Sequence, residues 1–152
     1  MADCKLTYKN NKGFWVHETY AQLIYQLIYA ELQKPEYTFS HKQEFLEDCE
    51  DIINGISIGY IGLNWIEYLI NQADEQTMVQ LLQNVITYLQ TKGKYIAVTE
   101  LKAMQTQDEH WKAVMDRNFP VSELIRIFNA LIQMLQGTWD SNNYDMKINW
   151  NL

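Results

Sequence analysis

Proline and glycine are scarce in this sequence, two and six among 152 residues. Proline removes a backbone donor and glycine loosens the chain, so their scarcity argues for long regular elements rather than many turns. Cysteine is sparse too: Cys4 stands in a polar N-terminal stretch and Cys49 in a helical pattern, with no C-x-x-C pair. That argues against a disulfide framework or a structural zinc site and fits a reducing cytoplasm. No clean hydrophobic run occurs. The most membrane-like window, residues 52–70, is broken by Asn54, Asn64 and Glu67 and follows acidic residues. A spanning helix needs roughly 20 cleaner residues flanked by Lys or Arg. The polar opening lacks the apolar core of a signal peptide. Basic charge is short as well. The net charge is −7, and the imbalance belongs to residues 35–75, with one lysine against nine acids. Such a chain lacks the basic patch that nucleic-acid binding requires, so neither nucleic acid nor membrane is an expected partner.

What is present is apolar and aromatic: 47% hydrophobic residues, ten Tyr and five Trp. That suffices for one domain with one sizeable core. After a polar segment, residues 1–13, the run FWVHETYAQLIYQLIYAELQK reads as a helix, its polar stripe marked by Glu18, Gln22, Gln26 and Gln33, ending at Pro35. Ser40 opens a second helix with Gln43 in capping-box position. Phe45, Cys49, Ile52 and Ile53 form its buried face, and Asn54-Gly55 stops it. A short helix spans about Leu63 to Gln72. The next, capped by Asp74, buries Met78, Leu81, Leu82, Val85 and Leu89 and stops at Gly93. KYIAV offers a short strand, and Thr99 caps a helix towards Gln107. Residues 108–118 read weakly, with a turn or two of helix around Trp111. Pro120 precedes the last helix, VSELIRIFNALIQMLQ, which stops at Gly137. In the tail, residues 138–152, Met146, Ile148 and Trp150 alternate as an edge strand or arm would. The pattern predicts an all-α single-domain bundle of five to six helices, with or without a short C-terminal strand or arm.

The chemical motifs are thin. Residues 55–59 read GISIG, which fits the G-x-S-x-G nucleophile elbow and makes Ser57 a candidate for a small serine hydrolase. A working elbow needs a strand before the serine and a helix after it. Here EFLEDCEDIIN precedes it with a helical pattern, so the glycines are expected to serve the backbone. His41, Glu44 and Asp48 share a helix face, yet no further His or Cys completes a metal site. His17 and His110 belong to no H-E-x-x-H or di-iron pair. The acidic run lacks the alternating calcium loop. No P-loop or dinucleotide fingerprint is present, and no cofactor is expected.

What remains is an acidic stripe. Glu44, Glu47, Asp48 and Asp51 fall at i, i+3, i+4 and i+7 of the second helix, opposite Phe45, Cys49 and Ile52, with Glu50 at the edge. Repulsion among them costs a few tenths of a kcal/mol per pair, which a solvated helix tolerates. The same stripe would serve as a docking surface for a basic partner, with aromatics such as Tyr37, Phe39, Tyr60 or Trp65 as anchors.

FWVHE before a long helix, the late IQMLQGTWDSNNY and the acidic second helix resemble small bacterial immunity proteins of toxin–antitoxin competition loci. The resemblance implies a protein that binds a cognate toxin and blocks it, and assigns no site residue. The expectation is therefore a non-catalytic, cytoplasmic inhibitor that occludes a basic, toxin-like partner through Glu44, Glu47, Asp48, Glu50 and Asp51, with Tyr60 and Trp65 fixing the pose. A self-associating structural subunit, a homodimer joined through its aromatic surface and C-terminal arm, is the second class.

Overall fold

The chain opens as a hairpin. In a computed structural model, which describes residues 3–56 and 61–151, strand β1 (Asp3–Tyr8) pairs antiparallel with β2 (Lys12–His17), in register from Asp3 opposite His17 to Tyr8 opposite Lys12. Cys4, Leu6, Tyr8, Phe14 and Val16 face the core, while Lys5, Thr7 and Trp15 face outward. The turn between the strands places Asn10 and Asn11 at φ of 58° and 57°. Asparagine adopts that left-handed region more readily than most residues. A two-residue strand, β5 (Tyr144–Asp145), joins β2 in parallel and completes the order β1-β2-β5.

Seven α-helices follow the hairpin among the described residues: α1 (Glu18–Leu32), α2 (Lys42–Ile53), α3 (Trp65–Tyr68), α4 (Gln72–Gln90), α5 (Val98–Ala103), α6 (Glu109–Val114) and α7 (Val121–Gln136). A small ribbon, β3 (Tyr95–Ile96) with β4 (Phe119–Pro120), ties the entry of α5 to that of α7. The fold is therefore α+β, not the all-α bundle expected from the pattern. The error has two sources. Cys4, Leu6 and Tyr8 alternate with Lys5 and Thr7, the period-2 pattern of a half-buried strand that a reading of residues 1–13 as a polar segment passes over, and Phe14 to Val16, expected as the first turn of α1, form β2. The helix itself starts at Glu18, where the His17 ring accepts from Thr19 N at 3.3 Å.

Helix α1 is the hub, packed by α2, α4 and the hairpin. Its expected polar stripe is partly inside: Glu18 and Gln22 are buried. Gln22 Nε2 donates to Ile52 O at 3.2 Å and to Asp108 Oδ2 at 2.8 Å, so the polar side chain has distant partners rather than water. The tail folds back onto the sheet. Trp139 Nε1 donates to Gly13 O, Met146 is buried with its N–H on Trp15 O, and Trp150 packs edge-on against Tyr20 and Phe119 under the Arg117 guanidinium. Glu123, buried on α7, accepts two hydrogen bonds from Arg126 and one from Asn149 N, holding the same tail from the helix side. No helix among the described residues is long and apolar enough to cross a membrane.

Candidate functional site

Helix α2 buries Phe45, Cys49, Ile52 and Ile53, the face expected from its spacing. The capping box does not form: His41 occupies the N-cap and makes no side-chain cap bond. Turned away from the core, Glu44, Glu47, Glu50 and Asp51 are exposed and Asp48 is half-buried. Asp48 Oδ2 accepts from Asn64 Nδ2 at 3.4 Å, and the Tyr68 ring packs on Phe45 at 5.2 Å, so the short helix α3 lies alongside. Glu67 of α3 thereby joins the acidic face.

The counter-charges are elsewhere. Among the described residues no lysine or arginine pairs with Glu44, Glu47, Asp48, Glu50, Asp51 or Glu67, whereas Lys9–Glu75, Lys92–Glu100 and Arg126–Glu123 are paired at 3.1, 2.7 and 2.9 Å. The one ion-pair contact to Glu44 among the described residues is His41 Nδ1 at 3.7 Å. Lys42, the single lysine of the region, donates instead to the carbonyls of Lys34 and Tyr37. Glu50 accepts from the Tyr29 hydroxyl, and this bond first, then burial, pushes the phenol up to about 12.

Burial holds the Asp48 carboxyl above its usual range, helped by the charges of Asp51 and Glu67 and opposed by hydrogen bonds from Asn64 and Tyr68. A raised value in the folded state means that the ionised carboxylate weakens the fold. Stability falls as pH climbs through that value and stays lower at neutral pH. Asp48→Asn is therefore expected to raise the melting temperature at neutral pH; a lowered one would show that the carboxylate holds α3 in place.

The aromatic anchors differ from expectation. Trp65 is a core residue, 1% exposed, with its ring edge-on to Tyr8 at 5.5 Å. Tyr37 is also buried, donating to Glu31 Oε2 and accepting from Asn84 Nδ2. Tyr60 and Ser57 lie outside the described residues. Among the described residues here, the large apolar side chains that reach solvent are Ile56, Ile66 and Ile70, 69%, 63% and 56% exposed. Ile56 follows Asp51 directly in space, its N–H on Asp51 O at 2.9 Å, and Ile66 and Ile70 flank Glu67. The sequence WIEYLI holds two i, i+4 pairs, Trp65/Leu69 and Ile66/Ile70, and spacing alone does not say which pair turns inward.

Other candidates resolve simply. The G-x-S-x-G stretch follows helix α2 rather than a strand, and Gly55 ends that helix at φ +79°. Both cysteines are free and buried, and burial raises both thiols, Cys4 to about 12. Among the described residues no group of three His, Cys, Asp or Glu side chains is placed to hold a metal ion. Compared with known proteins, the chain matches no family model, no curated protein and no solved structure.

Proposed function

We propose that the protein is a non-catalytic binding domain of the immunity or inhibitor type, which blocks a basic protein partner by covering it with the outer face of α2 and α3. One observation carries the reading: carboxylates with no lysine or arginine counter-charge among the described residues border three isoleucines that project into solvent. Unneutralised negative charge steers a basic partner and speeds its encounter. Desolvation of Ile56, Ile66 and Ile70 then supplies affinity that charge alone, screened by salt, does not. The raised Asp48 carboxyl supports the same reading, because this face keeps charge at a cost to the fold. A basic toxin-like protein is the partner such a surface suits, and nucleic acid, itself an anion, is not. Two buried free thiols are compatible with action in a reducing cytoplasm.

The test is affinity capture by the tagged full-length protein, run beside Glu47→Lys/Asp48→Lys. The wild type is expected to retain a stoichiometric basic protein. The double variant should fold normally and associate about tenfold or more slowly, with a weaker salt dependence. Equal capture and equal rates in the two lanes would remove the acidic face from the mechanism.

A further inference from the structure

A groove of about 750 Å3 opens between α1, the last turn of α2 and the connection from α5 to α6. Its volume lies within the range of small-ligand and short-peptide sites, roughly 300–1,000 Å3. Its apolar lining is Ala30, Ile53, Ala103 and Met104. The wall formed by residues 105–107 is locked to its surroundings. Gln26 Nε2 donates to Gln105 O at 2.8 Å, the Thr106 hydroxyl to Ile53 O at 2.5 Å, and Gln107 N to Asn54 Oδ1 at 3.0 Å. A wall fixed in this way needs little ordering when a ligand arrives.

The groups left over point to what the groove takes. The carboxamides of Gln33, Gln105 and Gln107 line it, exposed to solvent and with no protein partner among the described residues. Each carries both a donor and an acceptor, the complement of a peptide main chain. Lys102 is likewise unengaged. Every other lysine and arginine among the described residues lies against a carboxylate, a carbonyl or an aromatic ring. The two walls carry opposite charge, Lys102 on the α5–α6 side, where Lys112 is already paired with Glu109, and Glu50 on α2. A polyphosphate would meet Glu50 with repulsion, whereas a ligand with one charge of each sign satisfies both walls.

We infer that this groove binds an extended peptide segment bearing one basic and one acidic side chain, its main chain read by the free carboxamides. The groove shares Glu50 with the acidic face, but its lysine, its carboxamides and its apolar lining lie outside that face, and a peptide titration tests it without the basic partner. The experiment is a titration of the 15N-labelled full chain with blocked hexapeptides that carry one Lys and one Glu separated by one, two or three alanines. Matched peptides with Gln at both positions run alongside. At least one charged peptide should move the amide signals of Ala30, Ala103 and Gln105. Lys102→Glu should weaken that binding about tenfold, and Ala30→Trp, which fills the groove, should abolish it, both with unchanged melting curves. No movement with any charged peptide, equal movement with the Gln peptides, or indifference to Lys102→Glu would overturn the inference.

Discussion

Gly13→Ala is expected to lower folding stability by about 3 kcal/mol, as overpacking against an unyielding backbone does. A methyl built on Gly13 would stand 1.9 Å from Leu6 O and 2.9 Å from both Leu6 C and Thr7 Cα. All three are backbone atoms of the facing strand, so no side-chain rotation relieves the clash; the strands must part. Parting them disturbs more than one pair. Gly13 N donates to Ser141 O and Gly13 O accepts from Trp139 Nε1, both at 2.9 Å, so the tail is fastened to the same residue. Urea unfolding is the measurement, with the midpoint shifted and the slope unchanged if the native state stays compact. A loss below about 1 kcal/mol would mean that the hairpin yields far more easily than packed backbones do.

The second large effect concerns the first glycine of GISIG. Gly55→Ala should cost about 2–3 kcal/mol, the sum of a left-handed backbone penalty and a displaced carboxylate. Gly55 has φ +79°, and an added Cβ would lie 2.7 Å from Asp108 Oδ2. That carboxylate has nowhere convenient to go. Oδ2 accepts from buried Gln22, while Oδ1 caps α6 by accepting from His110 N and Trp111 N at 3.0 and 3.2 Å. A double-mutant cycle with Asp108→Ala isolates the contact. Once Asp108 is truncated, the alanine should cost only the left-handed penalty of about 1 kcal/mol. Full additivity of the two changes would show that the clash is relieved without touching Asp108. The experiment also bears on the motif, since it measures what Gly55 does for the backbone.

How much of this was legible depends on how locally each feature is determined. Helix α7 was readable residue for residue, from Val121 to Gln136, with Gly137 beyond it at φ +77°. Its apolar stripe repeats at helical spacing without ambiguity. The buried quartet of α2 was readable for the same reason, and so was its acidic outer face. The hairpin was not. Its first strand carries only a short alternation, Cys4, Leu6 and Tyr8 against Lys5 and Thr7, inside a lysine-rich opening; its turn uses asparagine where glycine would have announced it, and its second strand runs directly into α1. The burial of Gln22 was invisible because its partners lie 30 and 86 residues away. Trp65 was placed on the surface because a lone tryptophan in an acidic region reads as an anchor; only the packing of Tyr8 and Phe45 around α3 decides otherwise. The groove beside α2 left no local signal, since three chain segments build it.

The return of the tail to β2 has a consequence for the order of folding and for solubility. Pairing Phe14 with Tyr144 closes a loop of nearly the whole domain. Closure of so long a loop is entropically costly and is rewarded only after the intervening helices are in place. The hairpin, by contrast, forms from neighbours in sequence. Until the tail arrives, β2 offers Gly13 N–H and Trp15 C=O to any passing strand, with exposed Trp15 beside them. An open edge of that kind templates intermolecular pairing. Strand β5, two residues long, therefore matters less for the energy it adds than for the edge it denies to other chains.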